Sequence, residues 1–152
     1  MRIALYQPDI AGNVGTIIRL ATCFSTPLDI IMPCGFPASD KQLRRAAMDY
    51  GEHADISRHA NSDAFFTKQS ATGSRIVLLT SKGSQLLHTA RFEANDTILL
   101  GSESAGVPDE IHERADLRIR IPMGEGFRSL NIAVAAGIAL HEAMRQTGTL
   151  PE

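Results

Sequence analysis

Apolar residues fall along this chain in short runs, separated by turn residues and by stretches of helical spacing. Ile3, Ala4, Leu5 and Tyr6 form the first run, which stops at Pro8 and predicts a strand. From Asn13 the spacing changes. Ile17, Leu20, Ala21 and Phe24 recur at i, i+3, i+4 and i+7, the pattern of an amphipathic helix, and Arg19 projects from its other face. Residues 28–32 give a second strand. Ser39 with Gln42 three positions on is a capping box that opens a helix through Leu43, Arg44, Arg45 and Ala46. Asn61 caps a further helix carrying Phe65 and Phe66. Residues 75–80 and 97–100 have nearly continuous apolar centres, as strands covered on both faces do. Pro108 begins a short helix with Asp109 and Glu110 at its positive end. Residues 117–121 alternate Arg118 and Arg120 with apolar positions, and a last helix is predicted over residues 129–147, stopped by Gly148.

Strand and helix thus alternate from end to end, which predicts an α/β fold: one domain over residues 1–152, with a mainly parallel sheet sandwiched by helices. On such sheets, ligands bind in the loops beyond the carboxyl ends of the strands. Three glycine-bearing stretches fall at such places: GNVGT at 12–16, GSESAGVP at 101–108 and IPMGEGFRSLN at 121–131.

Composition adds limits. The formal charge is −2, with 15 Lys plus Arg against 17 Asp plus Glu, which excludes binding to a polyanion through bulk positive charge. A local basic patch is still open, since 12 of those 15 cations are arginine, the side chain suited to bidentate phosphate contacts. Cys23 and Cys34 have no second pair to complete a metal site or disulfide framework, and are expected as buried or half-buried thiols. The start of the chain lacks a signal-peptide core. The longest apolar stretch, 132–140, falls far short of the ~20 residues that span a bilayer, so the expected location is cytoplasmic, with no membrane partner. No P-loop, dinucleotide fingerprint, HExxH or GxSxG occurs, so metal-dependent or serine-triad catalysis has no support.

What is present is a particular combination. GSESAGVP after a buried strand, followed by IPMGEGFRSLN leading into a small-residue-rich helix, resembles two motifs of the SPOUT superfamily of RNA methyltransferases. LYQPDIAGNVGTIIRL and DKQLRRAAMDYGEH resemble the small branch that methylates the 2′-hydroxyl of the tRNA wobble nucleotide, cytidine or 5-carboxymethylaminomethyluridine. The resemblance runs from Ile3 to about Gly148. It implies a C-terminal deep trefoil knot that forms a pocket for S-adenosylmethionine, tRNA as substrate, a homodimer built on the first and last helices, and no metal. Connection rules alone would never propose a knot. Two features depart from the branch. His141 replaces a tyrosine, and RSLNIAVAA replaces the more polar RSMNLSNAV. The same reaction on another tRNA or rRNA nucleotide therefore stays open beside the wobble reading. So does a cofactor- and RNA-binding protein without catalysis.

The resemblance also assigns roles. Cofactor positions fall on Leu79, Gly101, Ile121 and Ser129. Gly106 would let the backbone approach a ligand, and Leu130 would add an apolar wall. Each has a plainer alternative: tight turns for the glycines, core packing for Leu79 and Ile121, and a cap on the last helix for Ser129. Asn13 and Arg19 match the first motif, whose arginine is essential to methyl transfer. Because a guanidinium stays protonated, Arg19 fits phosphate positioning and charge stabilisation better than proton abstraction. Alternatively Arg19 is solvated and Asn13 is a helix N-cap. Glu103, the acidic centre of the second motif, either orients Asn13 or Arg19 or is satisfied by loop amides. Asn131 is assigned to joining polar groups. Lys41, Arg44, Arg45 and Arg128 are candidates for RNA phosphate contacts, the first three equally for a solvated helix face. His141 is expected in packing or at an interface.

Overall fold

Successive strand side chains point to opposite faces of a sheet, so the apolar runs of this chain can cover two faces at once. The computed structural model describes residues 1–152, the side chains of Asp40 and Arg44 excepted. Its strands are β1 (Arg2–Tyr6), β2 (Leu28–Ile31), β3 (Ile56–His59), β4 (Ile76–Leu79), β5 (Gln85–Leu86), β6 (Thr97–Leu100) and β7 (Leu117–Arg120). The α-helices are α1 (Ala11–Cys23), α2 (Asp40–Ala46), α3 (Ser62–Thr72), α4 (Asp109–Arg114) and α5 (Ile132–Thr147). The sheet runs β3-β2-β1-β6-β4-β7-β5, and every ladder between these strands is parallel.

The two-residue alternation sorts the helices. Ile3 and Leu5 of β1, Ile30 of β2, Val77 of β4 and Ile98 of β6 face α1, α2 and α5. Their neighbours Ala4, Ile31, Leu78 and Leu99 face Phe65 and Phe66 of α3 and Ile111 of α4. Gly15 lets α2 cross α1 closely, because a Cβ there would lie 2.3 Å from the Ala46 carbonyl oxygen. On α5 the buried face combines the small Ala133, Ala136, Ala139 and Ala143 with the longer Leu140 and Met144, which pack into the core on this side of the sheet. No helix among the described residues is long and apolar enough to cross a membrane.

Local signals behave as their chemistry requires. Ser39 Oγ accepts from the Gln42 amide and Gln42 Oε1 accepts from the Ser39 amide, closing the expected box. Asn61 Oδ1 caps α3, and Gly148 ends α5 in the left-handed region at φ +66°.

Four expectations are corrected. Helix α1 begins at Ala11 with Ile10 as its N-cap, so GNVGT at 12–16 forms its opening turns and not a loop, and Asn13 lies inside the first turn and caps nothing. Helix α5 begins at Ile132, capped by Asn131, whose Oδ1 accepts from the amides of Ala133 and Val134, so Ser129 is not the cap. Cys23 is exposed, at the end of α1, and only Cys34 is half-buried. Strands β3 and β5 were not anticipated, and they are the two edges of the sheet. The polar ISRH of β3 is held there by hydrogen bonding: Asp29 on β2, fully buried, meets His59 Nε2 of β3 at 2.7 Å and accepts from Arg2 Nε of β1 at 2.7 Å.

Candidate active site

Strand order decides which loops meet. β6 lies between β1 and β4, and β4 lies beside β7, so the segments leaving the carboxyl ends of these four parallel strands converge at one end of the sheet. They enclose a cavity of about 520 Å³. Leu79, Thr80 and Ser81 line it after β4; Gly101, Ser102, Glu103 and Gly106 line it after β6. Ile121, Met123, Arg128, Ser129, Leu130 and Asn131 line it after β7, and Ile10 and Asn13 close it from the start of α1.

The loop after β6 is a tight antiparallel turn. The Ser102 and Gly106 amides each donate to the other's carbonyl at 2.9 Å. Gly106 adopts φ +68°, where a side chain would be strained. At Gly101 a Cβ would stand 2.6 Å from the Gly106 carbonyl carbon, so glycine is required there by contact as well.

The tip of this loop starts a chain of hydrogen bonds. Glu103 Oε1 accepts from Asn13 Nδ2 at 2.9 Å, and Oε2 accepts from the Asp9 amide at 2.8 Å. Asn13 Oδ1 in turn accepts from Asn131 Nδ2 at 3.0 Å. Side chains more than a hundred residues apart in sequence are thereby joined around one opening. Glu103 thus bonds the Asn13 side chain with one oxygen and the Asp9 backbone amide with the other, and makes no bond to Arg19 among those described. Asp9 completes the group: its Oδ2 accepts from Ser104 Oγ at 2.6 Å and from the Ser104 amide at 3.0 Å. Those two bonds, the hydroxyl's first, hold the Asp9 carboxyl below the usual carboxylate range.

Ten of the singled-out residues therefore meet at the cavity: Asn13, Leu79, Gly101, Glu103, Gly106, Ile121, Arg128, Ser129, Leu130 and Asn131. Arg19 does not. It is exposed on α1, six residues beyond Asn13 and thus about 9 Å along the helix and about 240° around it. Its guanidinium stands 5.3 Å from the centre of the Tyr50 ring and 3.9 Å from Met48 Sδ. Lys41 and Arg45 are exposed on α2, and Arg44 lies outside the described residues. His141 meets the Phe24 ring edge-on at 6.4 Å and lines a separate groove with Leu87, His88 and Ile138. Among the described residues no three His, Cys, Asp or Glu side chains are grouped to hold a metal ion.

Sequence reasoning missed Asp9, Thr80, Ser81 and Met123. The first three sit directly after strand ends, where the ligand rule for parallel sheets already pointed, but none carries a glycine signature of its own.

The whole chain has relatives. A tRNA (cytidine(34)-2′-O)-methyltransferase of Beijerinckia indica is 49% identical over 148 residues, spanning 97% of this chain and 92% of its own length. The enzyme of that name from Yersinia pestis is 39% identical over 153 residues, 97% and 94% of the two chains. Among solved structures, one described as giving insight into the 2-OH methylation of C/U34 on tRNA superposes with a TM-score of 0.89 at 40% identity, covering 95% of this chain and 94% of that one. An AdoMet-bound rRNA methyltransferase from Sinorhizobium meliloti superposes at 0.85 with 34% identity, covering 95% of this chain and 55% of its own. With residues 1–141 matching the SpoU rRNA Methylase family, and with strand ends and loop glycines arranged around one cavity, the chain belongs to that family.

Proposed function

We propose that this protein is an S-adenosylmethionine-dependent methyltransferase acting on the 2′-hydroxyl of the wobble nucleotide of tRNA, C or U at position 34, and that it works as a homodimer. The observation that carries this is the hydrogen-bond chain Glu103–Asn13–Asn131, which ties the first turn of α1 to the two motif loops around a single cavity in a chain 49% identical, nearly end to end, to a tRNA (cytidine(34)-2′-O)-methyltransferase.

The cavity suits the cofactor. Its volume, about 520 Å³, lies in the range of small-molecule sites. Leu79, Ile121 and Leu130 supply apolar walls, and the turn at 101–106, stripped of side chains at both glycines, offers backbone groups at close range. When bound, S-adenosylmethionine supplies a methyl group activated by a sulfonium, whose neutral thioether leaves without help. The difficulty lies with the nucleophile, an alcohol that must lose its proton as it attacks. In this reading Arg19 holds the RNA phosphate beside the acceptor ribose and stabilises charge developing on the 2′-oxygen. Glu103, Asn13 and Asn131 keep the loops in register, and Arg128 at the cavity together with Lys41 and Arg45 on α2 positions the RNA backbone.

The distance of Arg19 from its own cavity supports assembly across two subunits, with the arginine contributed by a second copy. So does the exposed pair Val134 and Ile138, one turn apart on α5. What supports the knot is the placement of β7 between β4 and β5, with the connection after β4 laid over it. The Thr80 amide donates to Ile119 O at 2.9 Å, and a Cβ on Gly83 would lie 2.4 Å from the Ile119 carbonyl carbon.

The test is transfer of label from methyl-labelled S-adenosylmethionine to total tRNA, followed by nuclease mapping. Label at nucleotide 34 is the expected result, and a protein that binds the cofactor yet labels no RNA overturns the reading. Arg19→Ala should lower transfer by about 100-fold or more, the scale of losing an oxyanion-stabilising donor, with cofactor affinity unchanged. Unaltered turnover would remove Arg19 from the mechanism.

A further inference from the structure

Asp9 stands just behind the functional residues and belongs to none of the three glycine-bearing stretches. It follows Pro8 where β1 ends and lies half-buried, before α1 begins. Three hydrogen bonds join it to residues 94 and 95 positions away. Its amide donates to Glu103 Oε2 at 2.8 Å, while its Oδ2 accepts from Ser104 Oγ at 2.6 Å and from the Ser104 amide at 3.0 Å. Each partner thus offers backbone to the other's side chain, a reciprocal clasp between the segments following two adjacent strands. The clasp is braced from behind. The Gly35 amide donates to Pro8 O at 2.9 Å, and a Cβ on Gly35 would come within 3.0 Å of Asp9 Cα and 3.1 Å of its Oδ1. Gly35 therefore packs closely against Asp9 on the side away from Ser104.

We propose that Asp9 and Ser104 form a latch that positions the 101–106 turn, and with it Glu103, for cofactor binding; this rests on the methyltransferase reading of the cavity. The mechanical argument is direct. The turn contributes Gly101, Ser102, Glu103 and Gly106 to the cavity wall, and its own two-bond bridge fixes its shape without fixing its place. Its placement against α1 comes from Glu103, through Asn13 and the Asp9 amide, and from Ser104 through the Asp9 carboxylate. Ser104 itself is exposed and lines no part of the cavity, so its hydroxyl bond acts on the turn's position and not on the ligand. Asp9 touches neither substrate nor reacting atoms and is a positioning residue.

The experiment compares Asp9→Ala, Ser104→Ala, the double variant and Ser104→Thr with wild type. It measures S-adenosylmethionine dissociation constants without RNA, KM for cofactor and for tRNA, and thermal midpoints. Asp9→Ala should weaken cofactor binding about tenfold, as loss of a charge-assisted pair does, with KM for tRNA unchanged. Ser104→Ala keeps the amide bond and should lose less. The double variant should match Asp9→Ala alone, and Ser104→Thr should restore binding. Wild-type cofactor affinity in Asp9→Ala overturns the latch. So do single effects that multiply in the double variant, or a fall in thermal midpoint with no change in cofactor affinity. If wild type itself binds no S-adenosylmethionine, it is the methyltransferase reading that fails, which the RNA-free measurement separates from failure of the latch.

Discussion

Gly101→Ala adds one carbon at the wall of the cavity, and its cost can be worked from the geometry. The new Cβ would lie 2.6 Å from the Gly106 carbonyl carbon and 2.8 Å from its Cα and oxygen. Ordinary contact begins near 3.4 Å, so the Gly106 backbone must retreat by about 0.8 Å, the difference between 3.4 and 2.6. Those atoms form one side of the Ser102–Gly106 bridge, and a shift of that size stretches two bonds that now measure 2.9 Å. At ~0.5–1.5 kcal/mol for each, the closed turn loses about 1–3 kcal/mol relative to an opened one. The sheet and helices are untouched, so the loss appears as local opening and not as global unfolding. Because Gly101 and Gly106 both line the cavity, it should appear in ligand affinity, a weakening of roughly 5- to 150-fold by the usual conversion of 1.4 kcal/mol per decade. Titration calorimetry with S-adenosylmethionine, with a thermal melt as control, measures both. A Gly101→Ala protein that melts like wild type and binds the cofactor within twofold of it would refute the assignment of this turn to the cofactor.

Two further perturbations probe α5. Val134→Asp with Ile138→Asp places two charges on exposed positions, sparing the monomer core; sedimentation should show a dimer becoming monomer and transfer should cease, whereas a doubly substituted protein that stays dimeric would exclude this face from the interface. Glu142 accepts from Arg145 Nε and Nη2 at 2.8 and 2.9 Å and from Gln146 Nε2 at 2.8 Å, and these bonds, the arginine's first, push its carboxyl from 4.5 down to about 2. A depressed carboxylate stabilises the fold fully above its unfolded value and loses that contribution as pH falls through the folded one. The thermal midpoint of wild type should therefore exceed that of Glu142→Gln at pH 7, and the gap should close between pH 4.5 and about 2. An unchanged gap at the acid end would contradict the assignment.

The interior of the fold was legible because burial on both faces forces continuous apolar runs: β4 and β6 read plainly from IVLL and TILL. The edges were not. β3 carries Ser57, Arg58 and His59 after a single isoleucine, since a strand with one neighbour need not be apolar and can be held by a buried hydrogen bond such as Asp29–His59. β5 has only two residues and no periodicity to detect. The loop glycines were legible as a set because their spacing matches a family motif, but the start of α5 was misplaced by a physical ambiguity. Ser129 and Asn131 are both good N-caps, and the choice falls to Asn131, whose amide also reaches Asn13 on another helix. Asp9 was illegible for a similar reason, as its partner Ser104 lies 95 residues on. Arg19 could be singled out in one chain, yet its distance from the cavity emerges only from the fold.

Asn13 explains why the motif loops come as a set. Its side chain must donate to a carboxylate and accept from an amide at once: Nδ2 gives to Glu103 and Oδ1 receives from Asn131. A carboxamide does both from two separate atoms held in one plane. A carboxylate at 13 would face Glu103 with like charge, and an alanine would strand Glu103 Oε1 and Asn131 Nδ2 together. Because each bond in the chain fixes the partner of the next, energies assigned to single residues here do not add, and losing any one link loosens the register of all three segments. Asn13, Glu103 and Asn131 thus act as one positioning unit, and none need take a proton for that. In the proposed reading charge stabilisation falls to a group outside the network, Arg19, held beside Tyr50 and about 240° around α1 from Asn13.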